Sequence, residues 1–148
     1  MYMMKPQSTY WQKMSWSEGL MGTETLPGIF YSSKAHFDAI KANCPYAEVI
    51  SLVEVRLPSK PAFTHHFLPA ANWHDLQSIF EEAFTVLDRA TPDHPILVHC
   101  KIGVVRCPAL IMAYMINKKN LTAYEAFASM KGVSDEFLPY LKEYEHET

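Results

Sequence analysis

The sequence predicts an α/β fold: a single domain with a central, mostly parallel sheet flanked by helices. Three observations carry that prediction. A Val- and Ile-rich run at 47–55 reads as a buried strand, and 96–99 as a short apolar strand without alternation, the pattern of a strand covered on both faces. Stretches of helical period stand between and after them, at 34–43, 75–90 and 107–118. Strands interleaved with helices, followed by helices alone, make a layered sheet rather than a bundle or a sandwich.

Taken in order, residues 1–25 are polar and Met-rich and read as an irregular lead-in, which Trp11 and Trp16 could pin to the body; 26–148 form the domain. Residues 28–32 are a short strand. Ser33 is placed to cap a helix over 34–43, with Phe37 and Ile40 on one face. Residues 47–55 are a buried strand, Pro58 and Pro61 interrupt the chain, and 63–70 form a weaker strand. Over 75–90, Leu76, Ile79, Phe80, Ala83, Phe84 and Leu87 fall at helical spacing. Residues 96–99 are a strand, 100–106 a loop and 107–118 a helix with Pro108 at its start; apolar on all sides, that helix belongs at the centre. Thr122 and Glu125 form a capping box for a helix that stops at Lys131-Gly132, and a last helix starts at Ser134.

Composition narrows the functional classes. The chain has 148 residues, enough for one domain with a true core. A hydrophobic share of 49% against 20% charged excludes wholesale disorder. A net charge of −3 argues against a nucleic-acid binder and against a polybasic membrane anchor. The longest strongly apolar run, 108–116, falls far short of the roughly 20 residues of a membrane span. The start of the chain lacks the layout of a secretory signal. Three sparse cysteines, Cys44, Cys100 and Cys107, suit a reducing compartment, so a cytoplasmic location is expected, with thiols free for chemistry.

The informative stretch runs from Val98 to Pro108. Cys100 stands at the carboxyl end of a buried strand, Arg106 follows at a Cys-x5-Arg spacing, and a helix begins beside it. Sites of open α/β sheets lie outside the carboxyl ends of strands. Backbone N–H groups of a curved loop and a helix start make a cradle for an anion. Arg106 adds a planar, two-pronged donor suited to phosphate. The same positive potential favours thiolate over thiol at Cys100, and a thiolate beneath a bound phosphate is a nucleophile aimed at phosphorus.

His99-Cys100-x5-Arg106 resembles the signature of the cysteine-dependent protein tyrosine phosphatases, and the short chain resembles their small dual-specificity branch. The likeness extends through residues 26–33, 47–52, the helix and strand leading into the loop, Ala113-Tyr114-Met115-Ile116 and Tyr124-Glu125-Ala126. It implies a dual-specificity phosphatase-like domain that hydrolyses phosphotyrosine, and phosphoserine or phosphothreonine, in phosphorylated proteins. Cys100 would form a phosphocysteine and Arg106 would bind two phosphate oxygens. Lys101, Ile102, Gly103, Val104 and Val105 would complete the cradle with their N–H groups, and His99 would orient it. No metal or other cofactor is implied.

Three positions depart from the family pattern. Cys107 replaces the hydroxyl residue that follows the Arg, and a thiol donates weakly. Val105 replaces a small residue. The loop at 68–75 lacks the family's Asp and carries Asn72 near its place; Asp75 is the one carboxylate there and His74 the one other acid. Asp75 therefore has two readings, N-cap of the following helix and proton donor. Lys101 is a solvated charge or a substrate contact, and His99 a core histidine or a tuner of the loop. Cys100 and Cys107 could form a disulfide. Two further classes stand beside the enzyme: a phosphate-binding pseudophosphatase, motivated by the three departures, and sulfur transfer of the rhodanese kind, which the Arg spacing and the Pro-led helix disfavour.

Overall fold

The computed structural model describes residues 22–148. Trp11 and Trp16 lie outside the described residues. The elements run β1 (Thr23–Leu26), β2 (Ile29–Ser32), α1 (Lys34–Ile40), β3 (Glu48–Ser51), β4 (Thr64–Phe67), α2 (Trp73–Leu87), β5 (Ile96–His99), α3 (Arg106–Lys119), α4 (Ala123–Ala128) and α5 (Leu138–Glu147), with a 3-10 turn, Lys41–Asn43, after α1. They form a single α/β layer system around a five-stranded sheet ordered β1-β2-β5-β3-β4. β1 runs antiparallel to β2, and the other pairs are parallel.

The strand side chains divide between two cores. Ile29, Tyr31, Ile50, Ile96 and Val98 face α2, α3, α4 and α5. Phe30, Val49 and Leu97 face α1 and Phe63. Both faces being covered accounts for apolar strands without alternation. Helix α3 crosses the larger core, with every residue from Cys107 to Ile116 buried. Among the described residues no helix is long and apolar enough to cross a membrane.

Several boundaries differ from expectation. The end of the expected lead-in is ordered: Thr23–Leu26 pairs with β2 across a turn in which Gly28 takes φ +83°. A side chain at Gly28 would meet the Thr91 carbonyl, so glycine is required there. The strand expected over 47–55 stops at Ser51, with the Leu52 N–H making the last ladder bond, to the His99 carbonyl 3.0 Å away. Ser33 does cap α1, its side chain accepting from the His36 N–H at 3.1 Å. Helix α2 starts earlier than the apolar period suggests. Asn72, not Asp75, is its N-cap, because Asn72 Oδ1 accepts the Asp75 N–H at 2.9 Å. Trp73 belongs to the packed face, edge-on to Phe80 at 5.7 Å. The Thr122–Glu125 capping box forms as read, but the last helix begins at Leu138 rather than Ser134.

Candidate active site

Register brings the strand ends level: Ser32 and Ser51 both pair with His99 at the carboxyl edge of the sheet. The segment 100–105 leaves this edge and feeds directly into α3. Its carbonyls are tied outward. The Lys101 carbonyl accepts from the Lys34 N–H at 3.1 Å, and the Val104 carbonyl accepts from the Ser134 N–H at 2.7 Å. In a trans peptide the following N–H points the opposite way, so the Ile102 and Val105 N–H groups face away from Lys34 and Ser134. Gly103 makes the tightest bend, at φ +92°; an added Cβ would come within 2.8 Å of the Ser32 carbonyl carbon and the Ser33 nitrogen. The first turn of α3 has no side-chain cap, and its Arg106 and Cys107 N–H groups turn to the Cys100 sulfur instead.

Cys100 lies at the floor of this curve, 1% exposed. Its Sγ accepts the Gly103 N–H at 3.3 Å and lies 3.4 Å from Cys107 Sγ. The thiol is brought down to about 5, first by the Cys107 S–H and then, against burial, by the backbone N–H groups of Cys107, Gly103 and Arg106. Cys107 moves the other way: burial and the neighbouring Cys100 sulfur push its thiol well up, so it keeps its proton. That single proton has two acceptors in reach, Cys100 Sγ and the Ser32 carbonyl at 3.6 Å. The thiolate is the stronger of the two.

An open cleft of about 370 Å³ sits above the sulfur, walled by Cys100, Lys101, Ile102, Val105 and Arg106, joined by Ala71, Glu136 and Phe137 from elsewhere in the chain. Arg106 Nη1 donates to the Ala70 carbonyl at 3.0 Å, which holds the guanidinium along the cleft wall. Ile102 is exposed and Gly103 buried. The bulky Val105 is accommodated at φ −122°, ψ −68°, as the residue before the helix.

His99 is fully buried beneath the loop and does not line the cleft. Its ring stacks on Phe37 at 4.7 Å. Its Nδ1 faces the Cys100 carbonyl at 3.4 Å, and its Nε2 lies 2.6 Å from Ser51 Oγ, which in turn lies 2.7 Å from His65 Nε2. Burial lowers His99 to about 4, so the ring is neutral. The Ser51–His65 extension of this chain was not evident in the sequence, since no local spacing links 51, 65 and 99.

Asp75 does not line the cleft. Its Oδ2 accepts the Ala71 N–H at 3.0 Å, so the carboxylate closes the start of α2. His74 is exposed and also outside the cleft wall. His65 and His66 point to different partners, Ser51 and Glu48. Glu136 and Phe137, from the segment before α5, are cleft residues that the sequence did not reveal; Phe137 had the spacing of a core position.

A family model described as the dual specificity phosphatase catalytic domain matches residues 30–146. The chain is 30% identical over 140 residues to human dual specificity protein phosphatase 5, covering 84% of this chain and 35% of that protein. It is 34% identical over 135 residues to the protein-tyrosine-phosphatase IBR5 of Arabidopsis thaliana, covering 83% of this chain and 51% of that protein. The chain thus spans about a third to a half of the length of these relatives. Among solved structures, a single-residue variant of human DUSP28 superposes with a TM-score of 0.66 at 20% identity, covering 86% of this chain and 95% of the other. DUSP15 superposes at 0.65 and 19% identity, covering 83% and 86%. At those identities the likeness speaks for the fold.

Proposed function

Since the chain belongs to the dual-specificity phosphatase catalytic-domain family, we propose that it hydrolyses phosphotyrosine, and phosphoserine or phosphothreonine, in phosphorylated proteins through a phosphocysteine. The observation that carries the reading is the Cys100 thiol, lowered to about 5 at the floor of an inward-facing N–H curve. A phosphate dianion enters the curve and takes hydrogen bonds from the loop N–H groups and from the Arg106 guanidinium. Cys100 Sγ attacks phosphorus in line; the S–P bond forms as the bond to the leaving oxygen breaks. The leaving oxygen takes a proton from water in the open cleft, or from Asp75 in a rotamer that releases the Ala71 N–H. Water then attacks the phosphocysteine, returning the sulfur as thiolate and freeing inorganic phosphate. Cys107, whose S–H points at that sulfur, stabilises it as it leaves, less strongly than a hydroxyl would.

Hydrolysis of an aryl phosphate tests the reading: the wild-type protein releases phosphate and Cys100→Ser does not. Equal rates from the two proteins would remove the enzyme. A second reading, a phosphate-binding module with slow turnover, is favoured by the engagement of Asp75 with Ala71 and by the thiol at position 107. It predicts phosphopeptide binding without a rapid single-turnover burst of phosphocysteine.

A further inference from the structure

The cleft above Cys100 carries one group that phosphate chemistry does not call for. Glu136 contributes to its wall beside Ile102 and Phe137. Its place is held from three sides. The Ser134 N–H donates to the loop at Val104, Ser134 Oγ accepts the Glu136 N–H at 3.0 Å, and Phe137 is buried against Trp73 at a ring separation of 6.0 Å. The residue itself is exposed, and among the described residues its carboxylate makes no hydrogen bond or ion pair. Of the described residues walling the cleft, it is the one carboxylate.

A fixed negative charge in an anion cleft weakens binding of the phosphate that every substrate shares, by like-charge repulsion. What such a charge gains is discrimination between substrates, because specificity is a difference of affinities. Ile102, 68% exposed, offers apolar surface to the phosphorylated side chain. The residues flanking it then pass the carboxylate. We propose that Glu136 is a specificity-determining residue, one that favours phosphopeptides with a lysine or arginine beside the phosphorylated residue and disfavours those with an acidic side chain or a second phosphate there. The inference rests on the phosphatase reading above and names the substrate class of that same site. Lys101, the exposed cation of the same cleft, acts in the opposite sense, so Glu136 sets a preference only against that background.

The test uses three phosphotyrosyl peptides of one sequence, with Lys, Ser or Glu at the flanking positions. Phosphate release gives kcat/KM for the wild type, Glu136→Gln and Glu136→Lys. Solvent-exposed pairs are modest, so Glu136→Gln should lower the Lys-to-Glu preference ratio by up to about fivefold. Glu136→Lys should lower it further, and salt should shrink the wild-type difference from Glu136→Gln. Equal ratios in all three proteins would overturn the proposal. Binding of the same peptides to Cys100→Ser, followed by fluorescence anisotropy, separates the two claims. No hydrolysis by any protein, with the Glu136-dependent order of binding intact, fails the enzyme and supports Glu136. If Glu136→Gln slows all three peptides alike, and slows phenyl phosphate more than nitrophenyl phosphate, Glu136 is a proton donor and the specificity proposal falls.

Discussion

Replacing Cys107 by alanine isolates the donor on which the Cys100 sulfur depends most. The Cys107 S–H is the largest of the influences that bring the Cys100 thiol from 9.0 to about 5, and the two sulfurs are 3.4 Å apart. Burial opposes that shift, and backbone N–H groups supply the remainder. A hydrogen bond to a charged group contributes about 1.5–3 kcal/mol, and one pKa unit corresponds to about 1.4 kcal/mol. Cys107→Ala therefore raises the Cys100 midpoint by about 1–2 units, to about 6–7. The variant also empties a small volume in the core at a cost of about 1 kcal/mol, which lowers Tm but leaves the titration readable. The assay is the pH dependence of alkylation by iodoacetamide, with the modified residue located by mass spectrometry. Cys44 does not interfere, because burial raises its thiol to about 11. Cys107→Ser is the control: a hydroxyl donates better than a thiol, so its midpoint stays at or below that of the wild type. A Cys107→Ala midpoint that does not move would refute the assignment of Cys107 as the principal donor.

Three further outcomes follow from the same geometry. Gly103→Ala forces a Cβ against the Ser32–Ser33 backbone at a positive φ. The loop must shift, and single-turnover phosphocysteine formation should fall by about a hundredfold while far-ultraviolet circular dichroism is unchanged. Peroxide should oxidise Cys100 to a sulfenic acid, which the adjacent Cys107 thiol converts to a disulfide with loss of water. Dithiothreitol should then restore wild-type activity, whereas Cys107→Ser should lose the protection and recover less after prolonged exposure. At the other end of the sheet, Glu48 is held by Arg89 at 2.9 and 2.8 Å, and by His66 and His94 at 2.7 Å each. These contacts, Arg89 foremost, keep its carboxyl well below the usual carboxylate range. A depressed folded-state value means stability that is complete above about pH 4.3 and is lost as pH falls below it. Arg89→Ala should cost about 1–3 kcal/mol in urea denaturation at pH 7, less than removal of a fully buried partner because two imidazoles remain. The cost should shrink at pH 3.

The parts of the site that could be read from the chain are those built from contiguous residues. Strand β5, the loop and α3 follow one another without a break, so strand apolarity, Gly103 and Arg106 sufficed to place a curved loop and a helix start at a sheet edge. The start of α2 shows why the neighbouring loop was harder. Asn72 and Asp75 are both good capping side chains, and the apolar period begins visibly at Leu76. Only the packing of Trp73 on Phe80 and Tyr144 shows that the helix has begun by residue 73, which makes Asn72 the cap and turns Asp75 back onto Ala71. A carboxylate with an expected role at the cleft is thereby committed to the helix start. The carboxylate that does reach the cleft, Glu136, arrives through the Ser134–Val104 hydrogen bond between segments distant in sequence. No periodicity encodes that contact, since it depends on α4 and α5 folding back over α3. In this fold the loop proposed to hold phosphate is a local structure, whereas the wall that a substrate's flanking residues would meet is a tertiary one. On the proposed reading, substitutions in the segment before α5 should therefore alter substrate preference while leaving the Cys100 loop in place.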